Sequence, residues 1–369
     1  MQLTLEGLKT ALASYVTATK ASNSSYSITR DNVAALIDKI AKIMTLDTSY
    51  IDKLSELDGE FLSYGKDIEE WFQDLSLPTT YDSTGANVTA PSDPTYRPNF
   101  YSKSLGKRVF KTTIRYNNYE RACHFEEQFL ELVAMITKRL YDSEALWRYG
   151  AKREILGILI DTCVGACGTD STTFVASTAY SVGTLLNNGT KYGIAVQGIK
   201  VADAYATYAA AEADGKIVTY DIIEYLADPV DATTGEAFVE AVKAAVEKAQ
   251  DVSEGYSLNG NTLGAWEGLT LIVKQGVMPV IETQVQAGAF HLDKVALPTN
   301  IKVVPDFGST TEDVIGMIID TRAVKLHPSY RAVREFVNGE GDFINYFLHT
   351  ENTAYFSRNT FIKIFLVTP

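Results

Sequence analysis

The chain has 369 residues, with 33 Lys and Arg against 46 Asp and Glu, a formal net charge of −13. At 46% hydrophobic and 21% charged residues it has enough apolar material for a sizeable core, which excludes global disorder. A pI near 4.9 excludes a protein whose whole surface grips phosphate, because that needs clustered Lys and Arg. The three cysteines, Cys123, Cys163 and Cys167, are too few for a disulfide scaffold and point to folding in a reducing cytosol. The first residues lack a basic stretch followed by an apolar one, and no apolar run approaches the roughly 18 residues of a membrane helix. The expectation is a soluble, unprocessed cytosolic chain with no membrane partner.

Residues 1–57 read as short helices forming an arm, with Val33, Leu36, Ile37 and Ile40 at helical spacing behind Thr29-Arg30-Asp31, whose Thr or Asp caps the first turn. Residues 58–118 read as a long hairpin-like excursion whose centre holds Pro78, Pro91, Pro94 and Pro98. Proline removes backbone donors, so that centre is not interior sheet. Its two arms carry opposite charge. From Asp58 to Asp74 there are six acidic residues, Glu69 and Glu70 among them, against Lys66; from Arg97 to Arg121 there are seven basic ones, including Lys103, Lys107, Arg108 and Lys111, against Glu120.

Two readings of that complementarity stand side by side. The arms pair within one hairpin, each cross-strand pair contributing about 0.2–1 kcal/mol. Alternatively, an arm of about ten residues, at roughly 3.3 Å each, reaches some 30 Å beyond its own domain and lies on another molecule. A two-stranded ribbon alone in water is only marginally stable, which favours the second reading.

Residues 121–149 contain neither Gly nor Pro, and Phe125, Phe129, Val133, Ile136 and Leu140 step at helical intervals. Trp147, Ile155, Ile158 and Leu159 extend the stripe past Gly150, predicting a long helical spine, kinked or straight, within a unit spanning 119–215. The Gly-, Ser- and Thr-rich segments after Cys167 and the alanine-rich Val201–Ala213 read as loops around short helices. In 216–325, strand candidates 216–220, 269–273 and 301–305 alternate with helix candidates 235–249 and 280–287, and Val314–Ile319 follows. This pattern predicts a small α/β unit with a partly buried sheet. Residues 326–369 return to aromatic, strand-forming sequence.

No catalytic constellation emerges. Gly255-Tyr256-Ser257-Leu258-Asn259 puts the second glycine of a nucleophile elbow one place late. Gly183 and Gly189 fail the spacing of a phosphate loop, and Gly339-Glu340-Gly341 lacks the third glycine of a dinucleotide fingerprint. Cys123-His124 with Cys163 and Cys167 offers no fourth zinc ligand at close spacing. His291, His327 and His349 stand in unrelated contexts. Neither an enzyme nor a cofactor or metal is expected.

The order of parts resembles the major capsid proteins of tailed bacteriophages, an α+β fold shared with encapsulins and the herpesvirus shell protein. The order is a helical arm, a charged excursion, a spine helix, an α/β unit and an aromatic β-rich ending. The local likeness, greatest to short-tailed phages, is carried by Ile318-Ile319-Asp320-Thr321-Arg322-Ala323-Val324, by Val333-Arg334-Glu335-Phe336-Val337-Asn338-Gly339-Glu340-Gly341, and by Asn345-Tyr346-Phe347-Leu348-His349. The resemblance implies an extended loop at 58–118, a peripheral domain with the spine helix at 119–215, an axial domain at 216–325 and a return to the peripheral domain at 326–369. It also implies pentamers and hexamers of the chain itself in a phage head, with portal, scaffolding and other head proteins as partners. Packaged double-stranded DNA would be touched only weakly. An encapsulin-like compartment stays open as the alternative; a cytosolic α/β hydrolase or transferase rests on 269–319 alone.

Overall fold

The computed structural model describes residues 50–62, 67–73, 83, 85, 96–101, 104–115, 126–262, 268–281, 300–309, 312–341 and 343–369. The helix expected behind Thr29, Cys123-His124, Lys103, most of the proline-rich centre and the segment 282–299 lie outside these. The chain divides into two compact units. One contains Ile51–Phe110, Ser143–Val333 and Leu348–Pro369; the other, among described residues, contains Tyr50, Lys111–Asp142 and Arg334–Phe347.

The first unit is built on a five-stranded mixed sheet of β8 (Ile223–Leu226), β11 (Leu269–Lys274), β12 (Ile301–Val304), β13 (Val314–Asp320) and β16 (Ile362–Val367), in the order β12-β11-β13-β16-β8. β11 pairs parallel with β12 and antiparallel with β13, β13 pairs antiparallel with β16, and β16 runs parallel to β8. β13 is buried at every position, and β16 at every position but its last, as strands covered on both faces must be. Val314–Ile319 is therefore a strand, and the α/β unit draws a further strand from residues 362–367.

Helix α3 (Ala232–Ala249) covers this sheet. Asp231 caps it, accepting from the Thr234 amide at 2.9 Å while Thr234 Oγ1 accepts from the Asp231 amide at 3.1 Å. Phe238, Val239, Val242, Ala245 and Ala249 recur at helical spacing and pack with Leu271, Val273, Ile315, Ile318, Phe361 and Phe365.

Helix α1 runs from Glu126 to Ala166, past Gly150. Nothing lies within 4 Å of where a Gly150 Cβ would sit, so that glycine marks open space. In the first unit α1 buries Leu156, Leu159, Ile160 and Cys163 completely. Gly157 marks a close crossing: a Cβ there would lie 2.5 Å from the Gly308 carbonyl carbon and 2.7 Å from the Phe307 oxygen. The crossing loop is tied by Arg153 Nε to the Asp306 oxygen at 3.1 Å and by Ser309 Oγ to Asp161 at 2.8 Å. Gly157→Ala gains under about 1 kcal/mol of helix propensity and costs about 1–3 kcal/mol of overpacking. The expected result is a lower thermal midpoint.

Within residues 168–195, expected as loops, the chain instead forms three short strands, β4 (Thr172–Thr173), β5 (Leu185–Asn187) and β6 (Tyr192–Ala195), which with the expected strand β7 (Ile217–Thr219) make a four-stranded sheet in that order. Helix α2 (Tyr208–Ala213) covers it, with Tyr208 and Ala211 against Leu186, Ala195 and Ile217. β9 (Ser253–Ser257) and β10 (Gly260–Thr262) form a separate hairpin.

Candidate inter-subunit interface

The excursion 58–118 begins at a buried ionic node on α1. Lys152 is 0% exposed, and its Nζ meets Asp52 Oδ2 at 2.6 Å, Asp58 Oδ1 at 2.5 Å and the Leu54 carbonyl at 3.0 Å. All three ammonium hydrogens are thereby used. Arg148 Nη2 reaches the same Asp58 oxygen at 2.8 Å. Leu54 and Leu57, each 1% exposed, flank the ionic pairs.

Beyond this anchor, β1 (Ile68–Gln73) pairs antiparallel with β2 (Tyr96–Tyr101), Trp71 standing opposite Pro98. Pro98 fits because both strands of a two-stranded ribbon are edges, where a missing donor is tolerated. Among the described residues of the basic arm, Tyr96–Tyr101 is the stretch that pairs with the acidic one. The following strand, β3 (Ser104–Arg115), lies beside β15 (Phe343–Phe356) in a sheet ordered β14-β15-β3, with β14 spanning Val324–Asn338.

β1 alternates cleanly. Glu70 and Phe72 turn inward, while Glu69, Trp71 and Gln73 are exposed. Glu70 accepts hydrogen bonds from Ser357 Oγ and, at 3.2 Å, from the Arg358 amide, pinning the ribbon to the turn before β16. Burial, reinforced by the nearby Glu70 carboxylate, pushes the Tyr355 phenol above its ordinary pKa. Glu69, opposite Phe100, accepts from Trp71 Nε1 at 3.3 Å.

β3 is an edge strand, and its basic side chains sit on aromatic rings of the same chain. Lys107 Nζ lies 5.4 Å from the Tyr330 ring centre, Arg108 Cζ 5.9 Å from that of Trp147, and Lys111 Nζ 5.6 Å from that of Phe347. The Phe110 ring meets Trp147 edge-on at 6.5 Å. Each such cation–ring contact at an exposed site contributes about 0.5–1 kcal/mol. Among the described residues none of the three cations meets a carboxylate within ion-pair distance. The rings hold the charges in place without neutralising them. Lysine and arginine on an exposed edge also discourage indiscriminate strand pairing.

Sequence reasoning found the charged arms but missed the ring seats and Lys152. Trp147 looks like one more residue of the helix stripe, and only the register of β3 against the helix puts Arg108 upon it. Among the described residues no cluster of His, Cys, Asp or Glu is arranged to hold a metal ion, and no helix is long and apolar enough to cross a membrane. Burial raises the pKa of the Cys163 and Cys167 thiols, the latter to about 12, which disfavours their thiolate forms at neutral pH.

The sequence matches the profile of the Phi29-like phage major capsid protein over residues 4–365. The chain belongs to that family. The capsid of Staphylococcus phage Andhra shares its fold, with a TM-score of 0.60 at 10% identity, covering 88% of this chain and 86% of that one. A structure of the head fiber and inner core protein gp22 of native bacteriophage P68 aligns with a TM-score of 0.54 at 10% identity, over 87% and 86% of the two chains. No curated protein matches the sequence. As a Phi29-like major capsid protein it is a structural subunit of the phage head, assembled from copies of itself. The encapsulin-like and hydrolase readings are not favoured.

Proposed function

We propose that this subunit closes into pentamers and hexamers of an icosahedral or prolate head around double-stranded DNA, and that its role is structural, without catalysis. The observation that carries the proposal is the row of three ring-seated, carboxylate-free cations on β3. Such charges serve recognition: across a heterologous contact, where one patch meets a different patch on the next copy, they set register and steer approach, while apolar contacts supply most of the affinity. In this reading 58–118 is the extended loop, 119–215 the peripheral domain with the spine, 216–325 the axial domain, and 326–369 the return; 1–57 is the arm. Portal and scaffolding proteins join the same shell in the cytoplasm of the bacterial host. The net charge of −13 keeps the wall from adhering to DNA during packaging.

Arg108→Glu tests the proposal. The variant is expected to keep the circular dichroism spectrum of the parent and to lose shells in electron micrographs, the reversed charge weakening each contact by about 1 kcal/mol or more. Arg108→Lys, which keeps the charge, restores them. An unchanged shell yield from folded Arg108→Glu overturns the role of this strand.

A further inference from the structure

The outward face of the β1–β2 ribbon shows what the cations of β3 could meet. Trp71 is 62% exposed, with exposed Pro98 opposite it and exposed Glu69 two residues before it. Leaving so large a ring in water forgoes most of its burial energy, and an exposed aromatic patch of this kind marks a contact surface. The ring is also oriented: its Nε1–H donates to Glu69 Oε2, which fixes a carboxylate beside the indole. An indole face flanked by a carboxylate is a receptor for guanidinium or ammonium, combining cation–π attraction with an ion pair. Among the described residues Glu69 meets no Lys or Arg within ion-pair distance.

Beside Trp71 opens a cleft of about 340 Å³, bordered also by Glu70, Asp320, Arg322 and Tyr355. Arg322 is held by Asp320, whose Oδ1 accepts from its backbone amide at 2.9 Å and from its Nε at 3.0 Å. Its charge is thereby matched, and Glu70, which accepts from Ser357 Oγ and the Arg358 amide, adds a carboxylate to the lining. There is room for one long side chain.

We infer that the Glu69–Trp71 face of one copy, with the cleft beside it, receives the Lys107–Arg108 stretch of β3 from a second copy. The inference rests on the capsid-subunit reading and names the surface that the basic strand meets. The two halves complement each other: among the described residues, a basic edge strand whose cations meet no carboxylate within ion-pair distance, and an aromatic face whose Glu69 carboxylate meets no cation. Two different patches joined head to tail propagate from copy to copy and close rings.

Particles assembled from equal amounts of unlabelled and ¹⁵N-labelled chain, treated with a carbodiimide that joins carboxylate to amine at zero length, test the contact. Glu69–Lys107 cross-linked peptides are expected in mixed-isotope form, which only a junction between copies produces. Trp71→Ala is expected to lower particle yield about tenfold, as loss of one aromatic anchor does. Glu69→Arg combined with Arg108→Glu is expected to recover yield that Arg108→Glu alone loses.

Lys107 joined to Glu69 solely within single chains, or joined between copies to other carboxylates alone, overturns the inference. So does Glu69 joined instead to a lysine of another head protein, or Trp71→Ala assembling as well as the parent. Particles without the mixed cross-link remove this contact and leave the capsid role standing; a parent chain that forms no particles removes both.

Discussion

Lys152→Met is expected to destabilise the unit containing residues 51–110 and 143–333 by about 3–5 kcal/mol, the effect of removing one member of a buried ionic group. Three acceptors lose their donor together: Asp52, Asp58 and the Leu54 carbonyl. Asp58 keeps Arg148, whereas Asp52, only 13% exposed, is left as an uncompensated charge. Adding Asp52→Asn to Lys152→Met is therefore expected to recover part of the loss. Urea unfolding followed by tryptophan fluorescence reads both variants. Equal midpoints for Lys152→Met and the parent would show that the node contributes nothing net. The segment at residues 52–58 is thus fastened to α1 by charge, and the residues that follow Asp58 inherit their direction from that fastening.

The second large effect is expected at the centre of the five-stranded sheet. Phe365→Ala removes a fully buried ring that meets Phe238 of α3 edge-on at 5.4 Å. The transfer and cavity costs together come to about 3–5 kcal/mol. Phe365→Leu, which refills most of the volume, is expected to cost clearly less. A thermal midpoint lowered equally by both would mean that ring geometry rather than filled volume holds helix to sheet.

Much of this architecture is legible in the sequence where one element decides its own fate. The spine helix is readable because 121–149 lacks Gly and Pro and keeps one apolar stripe. α3 is readable over 235–249 because Phe238, Val242 and Val246 fall on one face, although the helix begins a turn earlier, behind its Asp231 cap. β7, β11 and β12 stand out as β-branched runs. The short strands β4–β6 do not, being two to four residues long in Gly- and Thr-rich sequence whose pairing is decided by partners elsewhere. The candidate interface is half legible. Opposite charge on two arms is visible in the residues, whereas the alternation that turns Glu70 inward and Glu69 outward is not, because Glu69-Glu70 and Trp71-Phe72 are adjacent pairs of like residues. That Glu70 anchors to Ser357, nearly three hundred positions away, depends on tertiary folding that no local pattern encodes. The same holds for the rings beneath Lys107, Arg108 and Lys111.

β16 occupies the gap between β13 and β8, well over a hundred positions after β8 in the chain. A ribosome that stalls or releases before codon 362 therefore yields a product whose β13 and β8 each face an empty slot, with backbone amides and carbonyls unpaired. Such fragments cannot present the finished sheet to a growing lattice. The pairing that joins β13 to β8 is thus supplied by the strand of this sheet that is synthesised last, and its completion requires residues 362–367.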